Sequence, residues 1–475
     1  MRESASLPNE TSLDLETLAA DVVAMAMKAG ATDAEAVARE GDEFSVNVRM
    51  GEVETLKESG SRGLGLRVFL GQRSGSASTS DLTAEGIRQL VEGALALARV
   101  TEDDPFAGLP EAGEFDADEF GAGDTRMTGD DLHLYFDDVY SLGGEERIEW
   151  ARRTEAAALK ADPRITNSDG GSFDAATGQK ALANSRGFVG SYRTSYTGVA
   201  AAPLAKDADG RMQRDGWWSS ARSFAHLESP EAVGAEAARR ALRRLGARRV
   251  ATQRVPIVFA PETARTLIGS IFEAASGDAI WRGASFLAGK LGEAIAAPSL
   301  TIVDDNTMLL ATGAGGFGST PFDDEGLASR RTVVVENGVL RNYLLNTYTA
   351  RKLGMKSTHN AARGLAGAPG VGCGNLFLAP GELTPEAIVG EVKAGLYVTG
   401  LMGFGTNLVT GDYSRGATGL WIENGQLTHA VEEVTIAGNL AEMLRNVTAI
   451  GNDLEFRGAV ASPTLRIDGM TIAGA

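Results

Sequence analysis

The apolar positions of this 475-residue chain change period several times, and each change predicts a new element. Residues 12–30 carry apolar side chains at helical spacing, with Thr11 or Ser12 placed to cap and Gly30 to stop. From Phe44 the period drops to two. Phe44, Val46, Val48 and Met50 alternate with polar neighbours up to a turn at Gly51, and Leu64, Leu66, Val68 and Leu70 resume the alternation. A second helix is expected over about 81–99, where Ile87, Leu90, Val91, Ala94 and Leu95 share one side. Periodicity stops over 101–124, an acidic, Gly-containing stretch that reads as a linker.

The pattern then comes round again. "GSRGLGLRVF" at 60–69 has an echo in "NSRGFVGSYR" at 184–193, and a helix over 229–246 follows the second copy. A strand–strand–helix unit used twice accounts for this. The remainder is different. Asn337-Gly338, Asn424-Gly425 and Asp468-Gly469 each sit between apolar runs, which predicts three hairpins. Helices are expected at 261–276 and about 384–395. In the first, Pro261 suits the opening position, Leu267, Ile268, Ile271, Phe272 and Ala275 make an apolar face, and Gly277 is the stop. The fold class is α+β: a mixed N-terminal half of strand–strand–helix units and a β-rich, antiparallel, barrel-like C-terminal half. The expected segments are an α/β domain at 1–100, an acidic linker at 101–125, a middle α/β domain at 126–248 and a β-rich domain at 249–475.

Composition narrows the function classes. Hydrophobic residues are 43% and charged residues 23%, an ordinary globular balance, and the 59 glycines are spread along the chain as turns and close contacts. Net charge is −18, and residues 1–125 hold 25 acids against 10 bases. Such a surface repels nucleic acid and anionic membranes. The local exception is "ARRALRRLGARRV", with Arg239, Arg240, Arg243, Arg244, Arg248 and Arg249, which reads as a solvated helix face rather than a DNA-binding patch. A single cysteine, Cys373, excludes an intrachain disulfide. The first residues have neither a basic start nor an apolar core, and no apolar run reaches membrane-spanning length, so a cytoplasmic protein is expected.

Chemistry is sparse. His133, His226, His359 and His429 are far apart in sequence, and neither a His-x-x-x-His nor a Cys-x-x-Cys pair exists to seed a metal site. His359, in the donor-rich "ARKLGMKSTHNAARG", is the most suggestive of the four, with a plain loop histidine as the bland reading. There is no Gly-x-Ser-x-Gly elbow. "DNTMLLATGAGGFGSTPF" (305–322) lacks the lysine that grips phosphate and reads as a loop or turn. The acid pairs Asp323-Asp324 and Glu432-Glu433 would face opposite ways in a strand. One dense cluster remains at 401–425, where glycines surround Asp412, Tyr413, Ser414 and Arg415. It is either a site of close approach by a ligand or another chain, or a strand corner held by an Asp412–Arg415 pair.

This same cluster carries a resemblance. "VTGLMGFGTNLVTGDYSRGATGLWIENG", "VEEVTIAGNLAEML" and "AIGNDLEF" resemble the C-terminal signature of the TldE/PmbA proteins, with "STPFDDEG" and "NTYTARKLGMKST" matching further segments in order. The resemblance extends more weakly over the N-terminal elements. It implies a subunit paired with a TldD-type sister in a cytoplasmic metallopeptidase that degrades or trims unstructured peptides. TldD-type sequences carry His-Glu-x-x-x-His on a helix and a later cysteine as a zinc site. Aligned on that pattern, Ile268 and Glu273 fall where the histidines would be, Gly269 where the glutamate would be, and Gly416 where the cysteine would be.

The resemblance therefore implies no catalytic or metal-binding residue in this chain and zinc in the partner subunit. Asp412, Tyr413, Arg415 and His359 are the interface or peptide-binding candidates. Neither nucleic acid nor membrane is an expected partner. Two alternatives stay open: a stand-alone peptide- or protein-binding regulator, as the family's older gyrase-modulator name suggests, and an independent hydrolase using Asp412 or His359.

Overall fold

Four strands of unusual length dominate the N-terminal half of the protein. The structure, a computed structural model, describes residues 14–115 and 127–474. The expected caps Thr11 and Ser12, and the linker from 116 to 125, lie outside the described residues. The first helix runs Leu15–Lys28, where the Asp14 carboxylate accepts the Glu16 and Thr17 N–H groups at 3.1 and 3.3 Å.

Strands Asp33–Arg49, Glu52–Leu70, Ile165–Asn184 and Val189–Lys206 hold 17, 19, 20 and 18 residues. At about 3.3 Å per residue each spans roughly 60 Å, too far for one helix pair to cover. Two pairs share the task. Helices Leu15–Lys28 and Ala84–Val100 bury Ala34, Ala36 and Ala38, while Phe44, Val46 and Val48 of the same strand face join a second cluster containing Ala151 of helix Gly144–Lys160. Helix Pro230–Leu242 packs beside Gly144–Lys160 over Val199 and Ala201. Between the pairs, Gly41, Gly60 and Gly178 border an open groove of about 850 Å³.

The repeated unit is thus real as architecture. Both copies feed one seven-stranded antiparallel sheet, joined where Asp33–Arg49 pairs with Ile165–Asn184. The letter echo is not its trace. Residues 60–69 lie inside a strand, whereas 184–193 cross the turn between two strands.

The first strand also starts eleven residues before its visible alternation, because Ala34 to Ala38 are buried on both faces. A strand covered on both sides loses its period-two signal. The second cover is the C-terminal half. Val37, Leu182, Phe188 and Phe322 form one cluster across that contact, with Leu365 packed against it. Gly63 and Gly65 explain the "GLGL" spelling here: a Cβ on Gly65 would sit 1.7 Å from the Leu365 carbonyl oxygen.

In the C-terminal half, strands Gln253–Phe259, Ala394–Met402, Asp412–Glu423, Gln426–Asn439 and Leu465–Ala473 pair in a ring, closed by Thr435–Ala437 against Thr471–Ala473. Helix Pro261–Ala275 packs between this barrel and a five-stranded sheet that includes Ile302–Asp305 and Asn375–Leu378. Asn337-Gly338 and Asn424-Gly425 are hairpin turns, with positive φ at both residues of each. Asp468-Gly469 is not. It is a bulge inside Leu465–Ala473, which continues on the same partner strand. Gly277 is not the stop either: Ser276 turns extended and Gly277 opens a further short helix, Gly277–Trp281. The helix expected at 384–395 ends at Gly390, because the chain must re-enter the barrel at Ala394.

The arginine run fits its solvated reading only in part. Arg239, Arg248 and Arg249 are exposed, the first beside Glu236 on its own helix and the last beside Glu433. Arg240 is 8% exposed and stacks 3.8 Å from the Trp217 ring centroid, and Arg244 donates to the Arg214 carbonyl.

Gly65→Ala is expected to destabilise by about 1–3 kcal/mol, the usual range for forcing atoms into a filled contact. Gly187→Ala, at a turn with open space around it, isolates the cost of the left-handed backbone alone. Thermal unfolding of both checks that Gly65 serves the contact with Leu365.

Candidate functional site

The helix where a zinc motif would stand is built for packing. Ile268 is 1% exposed and sits in the main core with Leu267 and Ile271. Gly269 faces open space, and Glu273 is exposed on the outer side. Gly416 lies in barrel strand Asp412–Glu423 opposite Thr435, with Met402 on its other side. Isoleucine and glycine side chains donate nothing to a cation, and one carboxylate cannot hold zinc. The residues present do not fit the ion. Among the described residues no group of three His, Cys, Asp or Glu is placed to bind a metal.

The glycine-rich corner next to that helix is ordered by its backbone. Gly405 takes the Ser414 N–H at 2.7 Å, Asn407 donates to the Asp412 carbonyl at 2.8 Å, and a Cβ on Gly405 would strike the Ser414 carbonyl. Side chains three apart on a strand face opposite sides, so Asp412 and Arg415 form no pair. Asp412 accepts from Thr410 Oγ1 at 2.7 Å. Arg415 points to the helix, with Nη1 3.4 Å from Thr266 Oγ1. Tyr413 is 2% exposed, and burial pushes its phenol up to about 12, against the pull of the Arg415 guanidinium beside it. The corner ends in apolar side chains without cover: Phe404 is fully exposed, and Met402 and Val409 are more than half exposed.

The structure places His359 elsewhere. It is 5% exposed, holds φ at +58° and sets Nδ1 2.7 Å from the Ala328 carbonyl. Around it lies a polar seam that sequence reasoning missed. "DDEG" forms an irregular loop in which Asp323, Asp324 and Glu325 are all buried. Asp323 accepts the Glu325, Leu327 and Ala361 N–H groups, and Glu325 accepts from Thr347 N and Oγ1. Asp324 takes the Arg363 N–H at 2.7 Å and pairs with Lys180 of the N-terminal sheet. Glu35, from the same sheet, accepts from Arg67 and Arg363 at 3.2 and 2.7 Å. Asp304 accepts from Asn360 and Gly374. The available cue was an acid triplet wedged between Phe322 and Gly326-Leu327, where a solvated run would carry more polar neighbours.

Comparison with known proteins adds the family. Residues 34–98, 137–245 and 252–474 match domain 1, the central domain and the C-terminal domain of the PmbA/TldA metallopeptidases. The chain is 38% identical over 454 residues to "Metalloprotease PmbA" of Escherichia coli O157:H7, covering 95% of this chain and 94% of the relative. It is 36% identical to the "Metalloprotease PmbA homolog" of Haemophilus influenzae, covering 99% and 98%. A Bacteroides thetaiotaomicron structure bearing a gyrase-modulator name superposes with a TM-score of 0.86 at 27% identity, over 97% and 99% of the two chains. TldE from Thermococcus kodakarensis shares the fold, with a TM-score of 0.81 at 21% identity over 96% and 99%.

The seam makes stability depend on pH. Burial pushes the Asp304 carboxyl up to about 7 and raises Asp323 and Glu325 as well, the latter also through its neighbour Asp323. An unfolded aspartate titrates near 4. Between about 4 and 7 the folded state therefore keeps a proton that the unfolded state has released, and stability falls as pH rises. Lys180, lowered to about 7 by burial and then by Arg39 and Arg363, acts in the opposite sense only above that pH. The melting temperature should drop by a few degrees from pH 5 to 7, and Asp304→Asn should flatten that slope. A flat wild-type profile over this range contradicts the buried seam.

Proposed function

The chain belongs to the PmbA/TldD metallopeptidase family, and we propose that within it the chain is a TldE/PmbA-type subunit without a zinc site of its own. Its partner is a TldD-type sister that supplies the zinc, the substrate is unstructured peptide, and the complex works in the cytoplasm. One observation carries this reading: the helix Pro261–Ala275 keeps its packing face but offers Ile268, Gly269 and Glu273 where the family's zinc motif needs donors.

One further feature supports it. Exposed large apolar side chains clustered on one loop mark contact surfaces, and Phe404, Met402 and Val409 crown the corner that contains Gly416. No helix among the described residues is long and apolar enough to cross a membrane.

Purified alone and re-exposed to zinc after chelation, the chain should retain well below one equivalent by elemental analysis. It should leave unfolded peptides intact until the TldD-type sister is added. Stoichiometric zinc that survives dialysis, or chelator-resistant cleavage by this chain as sole protein, overturns the proposal. Failure of the sister to co-purify from the native host favours the stand-alone regulator instead.

Phe404→Asp is expected to leave the fold intact and weaken pairing at least tenfold, since a charge replaces an apolar anchor. Arg415→Ala separates two roles for its residue. Lower melting temperature with normal pairing assigns it to the Thr266 contact, and weakened pairing or cleavage assigns it to the interface.

A further inference from the structure

Trp217, Trp218 and Tyr397 line a cavity of about 240 Å³ where the middle segment meets the C-terminal half. Five arginines reach its wall. Three are neutralised by carboxylates: Arg239 by Glu236, Arg240 by Glu236 and Glu262, and Arg457 by Glu228 and Glu455. The other two are less fully matched. Arg243 stands 3.8 Å from Asp215, beyond hydrogen-bonding reach, and its Nε and Nη2 are buried without a hydrogen-bond partner. Arg265 forms no hydrogen bond or ion pair among the described residues and lies 5.7 Å from the Trp218 ring centroid. Tyr397 likewise has no hydrogen-bond partner there, and its ring reaches the same wall as Arg243 and Glu262.

Buried guanidinium N–H groups without hydrogen-bond partners, as in Arg243, are costly. Together with the half-exposed Arg265, a hydroxyl and two indoles they make a recognisable receptor. We propose that this cavity binds the C-terminal carboxylate of a peptide, with Arg243 and Arg265 as its cationic contacts and Tyr397 as a hydroxyl donor. The planar guanidinium fork matches a carboxylate. Burial holds the Tyr397 phenol up to about 12, so it donates at neutral pH. Glu262, Asp453 and Glu455 share the wall and keep its potential too low for a dianion such as phosphate. The volume suits a chain end rather than a larger ligand, and Trp218 offers apolar surface to the last side chain.

The ligand's identity rests on the peptide-handling reading above; the unsatisfied guanidinium N–H groups of Arg243 do not. The test uses the full chain alone, without sister or zinc, and titration calorimetry. Acetyl-Ala-Ala-Phe with a free carboxylate should bind, and its C-terminal amide at least tenfold more weakly. Arg243→Gln and Arg265→Gln should each weaken the acid at least fivefold. Tyr397→Phe, which keeps the packing, should weaken it measurably even if the arginine variants fold poorly.

Equal binding of acid and amide, or no binding of the acid at millimolar concentration, overturns the site. So does tighter binding of inorganic phosphate, and so does acetate matching the peptide, which would make a small carboxylic acid the ligand. Because no peptidase assay enters, loss of binding with intact activity in the mixed complex removes only this site. Binding without activity in the mixture removes only the subunit reading.

Discussion

The joint between the long sheet and the C-terminal half rests on charges removed from water. Glu35 is 1% exposed and held by Arg67 and Arg363, and Lys180 meets Asp324 a few residues along the seam. Removing one partner of such a pair strands the other charge and costs about 3–5 kcal/mol. A purely apolar joint would tolerate sliding, whereas this one has a single register. Gly63 and Gly65 add a steric lock, since only glycine lets the Leu365 backbone lie against the strand. Arg222, donating to the Gly315 and Gly316 carbonyls, and Arg457, donating to the Trp218 carbonyl, tie the two halves at further points.

With that frame set, the shape of helix Pro261–Ala275 does not depend on ligand chemistry. Its inner face closes the core between barrel and sheet, and Ile268 contributes to that closure. Where a histidine would leave a polar ring in an apolar core, isoleucine stabilises the packing directly. The outer face is under no such demand, which is consistent with Gly269 and Glu273 there. The corner at Gly405–Gly416 follows the same logic: its backbone ladder orders the loop, while the Phe404 side chain is fully exposed among the described residues.

Charge in this protein is mostly spent internally. The arginines of helix Pro230–Leu242 and its continuation serve Glu236, Glu262, Glu433 and Trp217 rather than a polyanion. That leaves Arg243 and Arg265 as the exceptions at the Trp218 cavity. Aromatic stacking at 3.8 and 4.0 Å on Trp217 holds Arg240 and Arg457 in place and defines the cavity's shape.

The sequence by itself determined the local elements. Period-two alternation in Phe44–Met50, the Asn-Gly turns at 337 and 424, and Pro261 at a helix start each depend on a few neighbouring residues, and each appears in the fold. It also determined that Ile268, Gly269 and Gly416 carry no metal-donating side chain, because ligand chemistry is a property of residue type. Tertiary structure decided the rest. Residues 33–38 hid their strand because both faces are buried, and Asp468-Gly469 became a bulge because the same partner strand continues past it. The burial of Asp323, Asp324 and Glu325 and the unsatisfied hydrogen bonding of Arg243 were not legible, since their surroundings come from segments far away along the chain. A side chain's solvation is set by what the fold brings against it, and no local pattern carries that information.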